Sequence, residues 1–233
     1  MKSYGQFCPV AKAAELFCER WTPLILRDLA GGATRFSQLQ RGVPLVSPSL
    51  LSRRLKQLEA EGIVERRHSP TGRSWTYHLT EAGLEFAPII EALGVWGQRW
   101  TRRELAEHEM DLTVLLWAME GSVHPDAFGE RRAVVEVVFV DQPAHKCRWW
   151  FMNEGGRCQL CLEEPDFGVD VYLRISLADM IYIWRGDLTL ARALDTERLA
   201  MHGTAAFRGA VTHWLGVSSL AHIKSRRSSG ADR

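Results

Sequence analysis

The stretch "SPSLLSRRLKQLEAEG", residues 47–62, constrains the fold more than any other part of the chain. At about 100° per residue, Leu51, Leu55 and Leu58 cover one helical face. Ser49, Arg53, Lys56 and Ala60 fall on the opposite face, with Ser52 and Gln57 at its margins. One side must be buried in a core and the other must meet something that accepts cations. Ser47 is suited to cap this helix, Pro48 to open it, and Val46 to pack on Leu51 from outside the first turn. Arg54 lies nearer the apolar seam, so its stem is expected on a neighbouring helix and its head on a phosphate or an acidic side chain.

The flanking sequence gives this helix a setting. Val10, Ala14, Phe17 and Trp21 recur at helical spacing after Pro9, and "TPLILRDL" reads as a second helix, capped by Thr22 and stopped by Gly31 and Gly32. "RFSQLQRG" fits a short third helix. Beyond Gly62, "IVERRHSPTGRSWTYHLT" reads as two β-rich runs around a Pro/Gly turn. A long helix is expected from Thr80, with Phe86, Ile89, Ile90, Leu93, Trp96 and Trp100 on one stripe and a kink at Pro88. A short helix, a tight turn, a cationic helix and a hairpin form the outline of a winged helix-turn-helix.

Charge distribution points the same way. Residues 1–106 hold 15 Lys+Arg against 10 Asp+Glu, a balance of +5, and residues 107–233 hold 14 against 18, a balance of −4. Residues 35–79 concentrate eight basic side chains against three acidic ones, as a surface meeting a polyanion does. Double-stranded DNA is the expected partner. Ser47, Ser49, Ser52, Arg53, Arg54, Lys56 and Gln57 would be its contacts from the helix, and Arg66, Arg67, Arg73 and Ser74 its contacts from the hairpin.

The string "CPVAKAAELFCERWTPLILRDLAGGATRFSQLQRGVPLVSPSLLSRRLKQLEAEGIVERR", with "YHLTEAG" and "LGVWGQRW" after it, resembles the HxlR family of bacterial winged-helix transcription regulators, relatives of the MarR type. The resemblance runs from residue 7 to about residue 100. It implies a homodimer, paired through helix one and the helix from Thr80, that binds an inverted-repeat operator as a regulator, more often a repressor than an activator. Trp96 and Trp100 would then lie in the dimer seam or against the second half of the same chain. In some members the cysteine of the "CPV" motif senses electrophiles or oxidants. Cys8 occupies that position and has either that redox role or a packing role in the seam.

The second half has a different texture. "LTVLLWAM" reads as a short apolar helix. "RAVVEVVFV", "KCRWWFMN", "RCQLCLEE" and "VDVYLRIS" then form four β-rich runs, followed by helical "LADMIYIWRG" and "LTLARAL", a strand at "RLAMHG" and a closing helix at "AAFRGAVTHWL". This order, with "WRGD" and "HG" as punctuation, resembles the sterol carrier protein domain over roughly residues 110–220. The resemblance implies an apolar tunnel taking a small apolar ligand, with Trp149, Phe151, Tyr172, Trp184 and Trp214 as candidate wall residues.

The expected fold class is therefore α+β. A DNA-binding and dimerisation domain spans 1–106, a smaller α/β domain with a mixed sheet packed by helices spans 107–223, and a flexible tail spans 224–233. Five cysteines without a repeated spacing, and no long apolar run, suggest a reduced, cytoplasmic protein with no membrane association. Cys158 and Cys161, three apart on a strand, should face opposite sides of a sheet, so neither metal nor cofactor is expected there. No phosphate loop, nucleophile elbow or paired-histidine motif suggests an enzyme. The competing class is a lipid-binding or protein-interaction protein whose winged helix takes a protein partner, which would have no need of a basic outward face.

Overall fold

The computed structural model describes residues 3–69, 72, 74–101 and 104–226. The chain forms two compact units, Met1–Gly97 and Gln98–Arg233. The second, expected to be the smaller, is the larger. The division falls earlier than the polar run around 101–111 suggested, because Leu105 and Met110 already pack against the second core.

The first unit runs α1 (Pro9–Phe17), α2 (Thr22–Ala30), α3 (Phe36–Gly42), α4 (Pro48–Ala60), β1 (Val64–His68), β2 (Trp75–Leu79), α5 (Glu81–Glu85) and most of α6 (Ala87–Trp100), whose last three residues fall in the second unit. The first helix stops short of Trp21, which was expected on its stripe. Trp21 instead takes a left-handed backbone at φ 80° and caps α2 with its carbonyl, in the place expected of Thr22. The expected single helix from Thr80 is broken at Phe86, ahead of Pro88, which has no N–H to give to a continuous ladder. Phe86 uses the break to stack on Phe17, with ring centroids 3.3 Å apart.

Helix α4 is fixed at both ends by its own sequence. Ser47 Oγ accepts the Leu50 N–H at 3.3 Å, with Pro48 at the first helical position. At the other end Gly62, at φ +70°, donates its N–H to Glu59 O, and Ile63 donates to Leu58 O at 2.9 Å, the paired bonds of a Schellman cap. The hairpin that follows pairs Val64 with Leu79 and His68 with Trp75. Leu51, Leu55 and Leu58 join Val46, Ile25, Leu26, Leu39 and Val64 in the buried core.

The second unit contains α7 (Leu112–Ser122), β3 (Ala133–Phe139), β4 (Arg148–Glu154), β5 (Arg157–Cys161), β6 (Val171–Ile175), α8 (Leu177–Arg185), α9 (Leu190–Asp195), β7 (Leu199–Gly203) and α10 (Ala205–Trp214). Its sheet is mixed, in the order β5-β4-β3-β6-β7, with β3 and β6 parallel and the other neighbours antiparallel. Ala133, Val135, Val137, Phe139, Phe151, Leu173 and Ile175 face a core completed by Leu116, Met119, Met180, Val211 and Trp214 from the helices. The helices thus cover one face of the sheet. No helix among the described residues is long and apolar enough to cross a membrane.

Candidate nucleic-acid interface

Burial of the leucine seam sets the direction of every other side chain on α4. With Leu51, Leu55 and Leu58 at 0–1% exposure, Ser49, Arg53 and Lys56 are turned to solvent and Ser52 and Gln57 lie at the edge. Arg53 and Lys56 make no hydrogen bond or ion pair among the described residues, so both cations remain available to an outside partner. Ser47 and Ser49 are exposed at the helix start, their hydroxyls 3.1 Å apart.

Arg54 has a different role. Its guanidinium pairs with Glu19 and donates to Gln57 Oε1 at 3.0 Å, and its side chain is 14% exposed. Of the two partners expected for its head, phosphate or acidic side chain, the fold supplies the acid. Arg54 thereby fastens α4 to the turn between α1 and α2.

The hairpin cations are also partly engaged. Arg67 is exposed and pairs with Glu65. Arg66 lies 3.6 Å from Glu59 and rests its guanidinium 4.3 Å from the centre of the Trp75 ring, against which His68 also packs at 3.7 Å. Ser74 is exposed beside this group, and its carbonyl accepts the Ser69 N–H. Arg73, expected here, lies outside the described residues. Trp75, exposed at 42%, was not among the expected contacts. The signal for it was present, since strand alternation puts Trp75 opposite His68 and diagonal to Arg66. The two residues ahead of α3 are anchored to the same hairpin, as Tyr77 donates to Thr34 O at 2.8 Å and Arg35 bridges Thr76.

Elsewhere in the first unit, Cys8 sits at the N-cap position of α1, half-buried, without a side-chain capping bond. Helix α6 buries none of its residues: Ile89, Leu93, Trp96 and Trp100 are each 46–56% exposed.

In the second unit, four of the five aromatic residues expected to line one tunnel belong to a single packed core, and Tyr172 lies apart from them. Register puts Trp149 and Phe151 on the helix-covered face and Tyr172 on the other. Phe151 and Trp214 are fully buried, with the Trp214 indole N–H donated to Asn153 Oδ1 at 2.7 Å. Trp184 donates to Ser122 Oγ at 3.1 Å and Trp149 to Lys146 O at 2.7 Å. Four of the five are therefore built into packed, hydrogen-bonded structure. Cys158 pairs with Asn153 and Cys161 with Trp150, so the two thiols do point to opposite faces. Burial, with Glu120 nearby, pushes the Cys158 thiol up to about 12, which keeps it protonated.

A three-helix lead-in, a capped helix with a cationic outer face and a two-stranded wing together define a winged helix-turn-helix protein. A family model for the HxlR-like helix-turn-helix matches residues 16–105. YvaP of Bacillus subtilis (strain 168), an uncharacterised HTH-type transcriptional regulator, is 38% identical over 98 residues, spanning 41% of this chain and 91% of its own. YodB of the same organism, also an HTH-type transcriptional regulator, is 34% identical over 95 residues, 40% of this chain and 85% of its own. The solved reduced form of YodB aligns with a TM-score of 0.36 at 34% identity, over 40% of this chain and 93% of that one. The chain belongs to the HxlR-like helix-turn-helix family.

Proposed function

We propose that the protein is a DNA-binding transcription regulator, a repressor that binds an inverted-repeat operator as a homodimer under the control of a small apolar effector in its second unit. The observation that carries the reading is the pair of unpartnered cations, Arg53 and Lys56, on the solvent face of a helix whose opposite face is fully buried. Such a helix fits the major groove, where arginine pairs with guanine edges and lysine with bases or phosphates. Arg66, Arg67, Arg73 and Ser74 on the wing would serve the backbone, and Ser47, Ser49, Ser52 and Gln57 would position the helix start and margin. Family membership and the named class of the relatives support the same role. The domain limits proposed for these two roles are 1–106 and 107–223, and the element order of the latter supports its reading as a sterol-carrier-like effector domain.

Dimerisation is supported by the exposed apolar row on α6, with Phe7 just before α1 and Val10 on it also exposed. Two recognition helices would then meet half-sites about 10 base pairs apart. Cys8 is proposed as an oxidant-responsive thiol. Unchanged Cys8 mass and unchanged operator affinity after mild oxidant would exclude that role.

The test is selection of bound duplexes from a random library, followed by anisotropy titration over a range of salt. The expected result is a palindromic site whose affinity falls with salt, with a slope that flattens by about one in Arg67→Ala. Failure to retain any duplex at low salt would overturn the reading.

A further inference from the structure

The face of the wing turned toward α4 carries a group of side chains that are held in place but whose polar atoms stay open. His68 opposes Trp75 and Arg66 opposes Tyr77, so all four share the side of the hairpin that begins at buried Val64. Arg66 reaches back to α4, where its Nε stands 3.6 Å from Glu59 Oε1. That is beyond hydrogen-bond range, and an ion pair between two side chains this exposed is weak. The firmer support is the Trp75 ring, whose centre lies 4.3 Å from the guanidinium and 3.7 Å from the His68 ring. Neither the Arg66 guanidinium nor the Trp75 indole N–H finds a hydrogen-bond acceptor among the described residues, and Trp75 remains 42% exposed.

Ordering a long side chain is a large part of what a polar contact costs, and here the free protein has already ordered it: an arginine stacked on a ring has little freedom left to lose. An apolar ring beside a cation with open donors fits a partner that presents carbon and anionic oxygen next to each other. The DNA backbone does so at every nucleotide, deoxyribose beside phosphate. Charge favours the same partner, since residues 35–79 hold eight basic side chains against three acidic ones, and exposed Arg67 adds a cation on the other face of the same strand.

We infer that Trp75 is a DNA contact of the wing: the open part of its indole packs on a deoxyribose and gives its N–H to a backbone oxygen, while the Arg66 guanidinium that it holds binds the neighbouring phosphate. His68 is a positioning residue for the ring. The inference rests on the DNA-binding reading and adds to it an apolar contact that the assigned serines, arginines, lysine and glutamine do not supply. Because no charge is lost with Trp75, its share of the affinity does not depend on salt as that of the arginines does.

The test is hydroxyl-radical footprinting of the selected duplex, since the radical attacks the deoxyribose that the ring would cover. At saturating protein, Trp75→Ala should restore cleavage at one patch of sugars in each half-site while the rest of the footprint stays. It should also weaken binding about tenfold with an unchanged salt slope. Trp75→Phe keeps a ring and should keep the patch protected. A patch still protected in a folded Trp75→Ala protein overturns the inference, and so does uniform loss across the site, which is the mark of a side chain that only holds the hairpin. Should Trp75→Ala not fold, fluorine NMR of the full chain labelled with 5-fluorotryptophan decides, the Trp75 line being identified by its loss in Trp75→Phe. The duplex should shift that line, and an unmoved line overturns the contact. A footprint indifferent to residue 75 sinks this inference alone, whereas no footprint from the unaltered chain sinks the DNA-binding reading and the inference with it.

Discussion

Arg53 and Arg54 are adjacent in sequence, yet the helix turns them by about 100° into different chemistry. Arg53→Ala should cost operator binding about 1–3 kcal/mol while leaving the unfolding midpoint unchanged. Arg54→Ala should do the reverse, lowering stability by about 1.5 kcal/mol through the orphaned Glu19 contact. Parallel anisotropy and urea titrations separate them, and similar behaviour of the two variants would contradict the division of labour. A second residue-scale consequence concerns pH. Burial pushes the Glu136 carboxyl above its ordinary value of 4.5, against the partial pull of Arg148, and burial raises Asp28 in the same way against Arg27. A carboxyl with a raised folded-state pKa binds its proton more tightly in the native chain. The stability it contributes is therefore present in full below 4.5 and is lost as pH rises through the folded value. Glu136→Gln should remove part of that decline, read as urea midpoints between pH 4 and 7.

At the scale of elements, the angle between α4 and the wing depends on one close approach. Thr80 caps α5 and donates its hydroxyl to Gly62 O at 2.6 Å, which brings Gly83 against the Ile63 carbonyl. A Cβ at Gly83 would stand 2.3 Å from that oxygen. Gly83→Ala should therefore destabilise by about 1–3 kcal/mol and weaken duplex binding, since the backbone on which β1 begins must shift. Wild-type affinity and midpoint in that variant would show that the junction tolerates displacement. The Schellman cap at Gly62 and the serine cap at Ser47 are the local reasons α4 keeps its length and phase. The serine cap was read from residue type and position, whereas the Gly83 contact joins residues twenty apart and was not.

At the scale of the molecule, α6 carries a row of apolar side chains that its own chain leaves in solvent. Trp96→Glu should convert a dimer to a monomer in sedimentation and abolish cooperative binding to a two-half-site duplex, and an unchanged sedimentation coefficient would remove α6 from the dimer seam. The sequence by itself determined what local rules control: the leucine seam and its cationic back, the serine cap of α4, the hairpin, the strand runs of the second half and the opposed faces of Cys158 and Cys161. Periodicity and turn chemistry act over a few residues, so they are legible without the rest of the fold. The tertiary structure alone decided which cations are free and which are tied, with Arg54 held by Glu19 from 35 positions away. It alone placed the aromatics of the second unit, dividing Tyr172 from Phe151 and burying Trp214. Those outcomes depend on strand order and on which elements meet across long stretches of chain, and no local pattern encodes them.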